Sequence, residues 1–338
     1  MEDAIIVGAG PIGLACAISA KRRGGDPLVL DAGAITNSIV HYPIGMHFFT
    51  TPERLEIGGH PLTCAGPKAT REEALKYYRG VVRTEGIRTR TFARLLTAGR
   101  EADGIRCTVG TRLGEETLWC RTLVLATGYF DHPNRLGVEG EDRPHVRHYF
   151  DEGHLGYGLD VVVVGGKNSA VEAALQLYRA GARVTLVHRG PAFSRSVKYW
   201  LRPDIENRIA AGEIGARFGG TVQRIDADAV VIGTADGGEQ ALPADLVYVL
   251  IGFHPDFALL ERIGIHCDPD SGRPTIDPET LETNVAGVYL AGSATAGRSI
   301  SEIFIENGRF DGEKIFGSAA DRARVDQQYT SIRRPRGE

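Results

Sequence analysis

The chain has 338 residues, 42% of them hydrophobic and 24% charged, with a net charge of -4. This globular composition has room for two domains. No basic stretch is interleaved with aromatics, which argues against nucleic acid, and no apolar run approaches the roughly 20 residues of a bilayer span. Met1 leads almost directly into an apolar run, with no cationic region before a signal core, so the expected location is the cytoplasm.

In chain order, "AIIVGAGPIG" reads as a buried strand entering a tight turn. A helix follows to about Arg23, and "DPLVLDAG" supplies a second strand, completing a βαβ unit. Gly8, Gly10 and Gly13 form G-x-G-x-x-G at the helix start. The first glycine permits the turn, the second lets backbone approach a pyrophosphate, and the third allows close helix–strand packing. Helix-end N–H groups then face the phosphates. Asp31 lies eighteen residues beyond Gly13, where a carboxylate accepts from ribose hydroxyls.

Residues 35–70 are rich in Pro, Gly, His and Phe and read as irregular lining, with His41, Tyr42 and His47 on the expected substrate side. "TREEALKYYRGVVRTEG" is an amphipathic helix with Thr70 as N-cap and Glu73 at the third position after it. Strands are expected around Arg106–Thr111 and Glu116–Trp119. "TLVLATG" then crosses back, and its small residues Ala126, Thr127 and Gly128 let backbone lie against a cofactor.

A second strand–turn–helix–strand runs from Asp160 to Gly190, "DVVVVGGKNSAVEAALQLYRAGARVTLVHRG". Gly165 and Gly166 lead to Lys167, where a strict fingerprint has glycine, and Ala170 is small enough for close packing. Lys167 can reach a phosphate; Asn168 and Ser169 can donate to a pyrophosphate; Glu172 is expected in the first helical turn. The following strand ends in His188 and Arg189, with Arg195 and Lys198 close behind. Guanidinium donors match a 2′-phosphate, so NADPH is expected over NADH.

Further strands fit Gly220–Ile225, Ala229–Gly233 and Leu246–Ile251. The block "TNVAGVYLAGSATAGRSISEIFIENGRFDGEKIFG" is again strand, turn and helix. Gly292 and Ser293 face a ribityl and pyrophosphate there, and "AGRSISEIF", with Ser301, is expected to start a helix aimed at the flavin N1–C2=O edge, where negative charge gathers on reduction. The tail after about Ala320 reads as a frayed extension. The expected fold is α/β, with two Rossmann-like nucleotide-binding domains, the second inserted in the first. Residues 1–133 and 255–338 form the FAD domain with its tail, and 134–254 the NADPH domain. Two domains in series would leave the last block without a sheet partner.

The five cysteines, Cys16, Cys64, Cys107, Cys120 and Cys267, contain no CxxC and no zinc spacing, so no metal site is expected. Cys107 and Cys120 can meet across a hairpin, though in a reducing compartment they read as buried thiols.

The strings "GAGPIGLACAI", "NSIVHYPIGMHFFTTPERLEIGG", "GGKNSAVEAALQLYRAGARVTLVHRG", "SVKYWLRPDIENRI" and "SEIFIENGRFDG" resemble the bacillithiol disulfide reductase (YpdA, Bdr) family of thioredoxin-reductase-like flavoproteins. The resemblance covers roughly residues 3–317 and makes Lys167 a family feature. It implies FAD in the first domain, NADPH in the second, and a low-molecular-weight disulfide such as bacillithiol disulfide as acceptor. The candidate FAD residues are Gly8, Gly10, Pro11, Gly13, Asp31, Asn37, Ser38, Thr127, Gly128, Gly292 and Ser301. Those for NADPH are Gly165, Gly166, Lys167, Asn168, Ser169, His188, Arg189 and Arg195. A homo-oligomer is also implied.

The chain departs from this pattern at one place. Family members proposed to use a thiol have cysteine after the proline, G-P-C-G, and this chain has Ile12. Cys16, one helical turn on, is either a displaced thiol or a buried small residue. The cysteine-free "VRHYFDEGHLGYG" excludes the CxxC route of thioredoxin reductases proper. Hydride transfer from nicotinamide C4 to flavin N5, at about 3–3.5 Å in the reactive pose, needs no acid–base side chain, so no catalytic residue is named. The rival readings are a ferredoxin/flavodoxin–NADP reductase, which needs no thiol, a flavin monooxygenase, and a non-catalytic NADPH/FAD redox sensor.

Overall fold

The computed structural model describes residues 1–234 and 237–332, with the side chains of Ser301 and 329–332 outside that description. The chain forms two compact units, one from residues 1–40, 45–132 and 253 onward, the other from 41–44 and 133–252. The second is thus inserted in the first.

The first unit begins with β1 (Glu2–Val7), α1 (Pro11–Lys21), β2 (Leu28–Leu30), α2 (Asn37–Val40), α3 (Pro52–Leu55), α4 (Arg71–Thr84), β3 (Arg88–Arg90), β4 (Arg94–Glu101), β5 (Gly104–Thr111) and β6 (Gly114–Leu125). The inserted unit holds β7 (Val146–Arg147), β8 (Asp160–Val164), α5 (Asn168–Arg179), β9 (Arg183–His188), α6 (Arg202–Ala210), β10 (Gly215–Phe218), β11 (Thr221–Ile225), β12 (Ala229–Gly233), β13 (Glu239–Pro243) and β14 (Leu246–Val249). The chain then returns through α7 (Phe257–Ile263), β15 (Val288–Leu290), α8 (Ile305–Gly308), α9 (Asp311–Phe316) and α10 (Ala319–Ile332).

In the first unit the parallel order is β3-β2-β1-β6-β15. The N-terminal half of β6 pairs antiparallel with β5, and β5 with β4. One twelve-residue strand therefore serves both the hairpin and the nucleotide sheet, so Glu116–Trp119 and "TLVL" are continuous. Diagonal register brings Cys107 and Cys120 together as free, buried thiols.

Helix α1 is buried on every residue from Gly13 to Ala20. It can be so because its side chains are small and α9 lies against it: a Cβ on Gly312 would stand 2.7 Å from Cys16 Cα. The reciprocal cap of α4 forms as its sequence requires, Glu73 N–H donating to Thr70 Oγ1 at 3.1 Å and Thr70 N–H to Glu73 Oε2 at 2.8 Å.

The tail differs from its expectation. It is helical to Ile332 because Ser318 and Asp321 cap each other, Arg23 pairs with Asp321, and Val325 is buried. In the second unit β10-β9-β8-β14-β7 form a parallel sheet and β11-β12-β13 an antiparallel one. Among the described residues no helix is long and apolar enough to cross a membrane.

Candidate cofactor sites

Both glycine turns leave a sheet at its central strand, beside the point where strand order reverses, which is where open α/β sheets bind ligands. At the first, Gly8 has φ +110°, and a Cβ there would lie 2.3 Å from the Ala126 carbonyl oxygen. A Cβ on Gly13 would lie 1.9 Å from the Gly8 carbonyl oxygen. Gly10 differs: a Cβ there meets no protein atom within 4 Å. Packing thus explains two of the three glycines and leaves the middle one facing open space. Helix α1 starts at Pro11 with no side-chain cap and no acid in its first turn, so its positive end is available to an anion.

The ends of β2, β6 and β15 gather around this turn. Both oxygens of Asp31 accept backbone N–H groups, from Ala9 at 2.7 Å and Gly33 at 2.8 Å. Burial, partly offset by these bonds, pushes its carboxyl above its ordinary value. Asn37 Oδ1 accepts from Ala34 N–H at 3.2 Å under the same loop, and Ser38 is partly buried beside it on α2. Ala126 N–H donates to the Val7 carbonyl at 2.8 Å, which draws Thr127 and Gly128 across the turn. Gly128 has φ +69° and lies near Ser293 Oγ. Gly292 has φ +70°, and its N–H donates to buried Asp311 at 2.6 Å.

One expectation fails in this block. "AGRSISEIF" does not start a helix. A 3-10 turn at Gly292–Ala296 ends at the segment's first residue, Gly297 follows at φ +57°, where a Cβ would lie 2.5 Å from Gly272 backbone, and a second 3-10 turn forms at Ile300–Glu302. The four-residue α8 that follows is too short for the expected helix end, and the Ser301 side chain lies outside the described residues. His41 and Tyr42 belong to the inserted unit and His47 to the other.

Ile12 fills a slot between two glycines. Cβ atoms on Gly292 and Gly308 would stand 2.8 and 2.5 Å from its Cδ1. Cys16 is wholly buried, and burial, with the Asp311 and Glu313 carboxylates adding to it, pushes its thiol well above the usual range. A thiol held protonated and sealed from solvent is no nucleophile. This burial fits the small-residue reading of Cys16 and not the displaced thiol.

Three residues here escape a reading by motif. Asp311, buried and accepting from Gly292 N–H, carries no motif that singles it out. Thr36 (φ 52°) and Phe92 (φ 56°) hold the left-handed backbone that β-branched and bulky residues avoid. Thr36 N–H donates to the Ala9 carbonyl, and Phe92 N–H to that of Gly33. A cavity of about 290 Å³ opens beside Phe92, Ala93 and Arg112.

At the second turn a Cβ on Gly165 (φ +150°) would lie 2.5 Å from the Leu250 carbonyl oxygen, and one on Gly166 2.5 Å from the His188 ring. His188 therefore seats on the turn. Burial, then the Arg189 cation, lowers its pKa. Helix α5 starts at Asn168 with exposed Lys167 as N-cap and no acid in its first turn. Glu172 is the fifth helical residue, beyond the first turn where it was expected, and burial pushes its carboxyl up to about 7. Lys167, Ser169, Arg189 and Arg195 are exposed, and neither arginine has an ion-pair partner among the described residues. The Asn168 side chain is instead engaged with the 196–198 backbone.

A family model described as pyridine nucleotide-disulphide oxidoreductase matches residues 5–292. Bacilliredoxin reductase Bdr of Bacillus subtilis is 43% identical over 321 residues, covering 95% of this chain and 98% of that protein. A ferredoxin–NADP reductase of Ignicoccus hospitalis is 32% identical over 305 residues, covering 87% and 90%. The solved bacillithiol disulfide reductase Bdr (YpdA) of Bacillus cereus superposes with a TM-score of 0.91 at 40% identity, covering 96% of this chain and 99% of the other.

Proposed function

Because the chain belongs to the bacillithiol disulfide reductase (Bdr, YpdA) family of pyridine nucleotide-disulphide oxidoreductases, we propose that it oxidises NADPH and reduces a low-molecular-weight disulfide such as bacillithiol disulfide through bound FAD. It is an enzyme, a nicotinamide-dependent flavoprotein reductase. FAD bound in the first unit supplies the two-electron relay between nicotinamide and acceptor.

One contrast carries the assignment of the two cofactors. The strand after the first glycine turn ends in Asp31, a carboxylate with both oxygens fixed by backbone N–H groups. The strand after the second ends in His188 and Arg189. A carboxylate accepts from ribose hydroxyls and repels a 2′-phosphate; a guanidinium does the reverse. In the first unit Gly10 and the uncapped start of α1 take the pyrophosphate, with Pro11, Asn37, Ser38, Thr127, Gly128 and Gly292 lining the flavin's path. The adenine has room beside Phe92 and Ala93. In the second unit Gly165, Gly166, Lys167 and Ser169 lie along the phosphates, and His188, Arg189 and Arg195 face the 2′-phosphate end.

A second acceptor reading has an observation of its own. Ile12 stands where a thiol would, and Cys16 is sealed. A small redox protein such as ferredoxin or flavodoxin takes electrons without a protein thiol. Following NADPH oxidation by the flavin-loaded protein with bacillithiol disulfide, ferredoxin, flavodoxin or oxygen separates the two. Turnover with bacillithiol disulfide above the oxygen background supports the first, and its absence with ferredoxin turnover present supports the second.

A further inference from the structure

The loop after β9 is tied back to the second glycine turn. Ser194 N–H donates to the Gly166 carbonyl at 3.1 Å. The Asn168 side chain then bridges the loop at two places: its Nδ2 donates to the Ser196 carbonyl at 3.1 Å, and its Oδ1 accepts from Lys198 N–H at 2.9 Å. Ser194 Oγ and Ser196 Oγ meet at 2.8 Å, and Arg202 donates to the Ser194 carbonyl at 2.8 Å. Buried Phe193 and Val197 anchor the loop in the core on either side. Between the two Asn168 bonds and the Ser194 bond sits Arg195, exposed and with no ion-pair partner among the described residues.

Building on the NADPH reading above, we propose that Asn168 is a positioning residue for nucleotide selection. It fixes the 194–198 loop so that Arg195 stands ready for the 2′-phosphate, and its effect on affinity passes through Arg195 rather than through the pyrophosphate. The amide oxygen and one of its two N–H bonds are committed to loop backbone. A long cationic side chain on a loop costs rotamer and backbone entropy to immobilise on binding, and a loop held beforehand has already met part of that cost. The residue type fits, since an amide offers a donor and an acceptor on separate atoms and so reaches two backbone groups at once.

The test is a double-mutant cycle on the full-length, flavin-loaded protein, with calorimetric affinities for adenosine 2′,5′-bisphosphate and for 5′-ADP. Arg195→Ala weakens the 2′-phosphorylated ligand by about tenfold or more, as for loss of a charge-assisted hydrogen bond. Asn168→Ala weakens it several-fold and moves 5′-ADP less than twofold. In the Arg195→Ala background, Asn168→Ala has little further effect on either ligand. Equal weakening of both ligands by Asn168→Ala means direct pyrophosphate contact and overturns the proposal; so does full additivity with Arg195→Ala. If Arg195→Ala itself leaves the 2′-phosphorylated ligand unaffected, the NADPH reading of this loop fails with it. A loss from Arg195→Ala without one from Asn168→Ala sinks the positioning role alone. Should Asn168→Ala not fold, Asn168→Ser, which adds no charge and is too short to hold both the Ser196 carbonyl and the Lys198 N–H, carries the same cycle.

Discussion

Replacing Glu172 with Gln should stabilise the inserted unit, and the gain should grow with pH. The carboxyl sits on α5 with its pKa raised from the ordinary 4.5 to about 7, chiefly by burial and against the attraction of Lys198. A folded-state pKa above the unfolded one means that the native fold prefers the protonated acid. That contribution is complete below pH 4.5 and is lost as pH rises through 7. At 1.36 kcal/mol per pH unit the ionised form costs about 3 kcal/mol at pH 8, or about 2 kcal/mol after discounting its partial exposure. Glutamine keeps the shape and removes the titration.

The assay is urea unfolding at pH 5.5 and pH 8, read by Trp200 fluorescence in a Trp119→Phe background. The chain has two tryptophans, and Trp200 belongs to the inserted unit. The stability gain of Glu172→Gln should increase by about 1–2 kcal/mol between the two pH values. A gain independent of pH, or one larger at pH 5.5, would refute the reasoning.

Three other outcomes follow from packing. Gly10→Ala should leave the unfolding midpoint of the flavin-free protein unchanged while flavin content on purification falls, because its Cβ meets no protein atom; Gly8→Ala and Gly13→Ala should lose the fold along with the flavin. Cys16→Ser should leave turnover per bound flavin unchanged, and native Cys16 should resist thiol reagents until the protein unfolds; rapid native labelling contradicts the burial described. Thr70→Ala removes the α4 cap and should cost about 1 kcal/mol in denaturant unfolding, with no change in cofactor affinity.

The parts of the fold written in local chemistry were readable from sequence. Gly8 and Gly13 are forced by backbone collisions, the Thr70–Glu73 pair by helix-end geometry, and the β8–α5–β9 unit by an apolar run meeting glycines. What tertiary contact decides was not. The "AGRSISEIF" segment has helix-compatible residues, but Gly297 is pressed against Gly272 backbone and breaks it into turns. The α10 helix looks like a charged tail until Asp321 is seen to join Ser318 to Arg23. Spacing places Asn168 at the start of α5 and says nothing of the loop that engages its amide.

Anaerobic titration of the purified, flavin-loaded protein with NADPH and, separately, NADH tests the proposed electron relay most directly. Stoichiometric bleaching of the yellow absorbance by NADPH, at concentrations well below those needed for NADH, is the predicted result. A preparation that folds but takes up no flavin, or a loaded one that neither nucleotide bleaches, would contradict it.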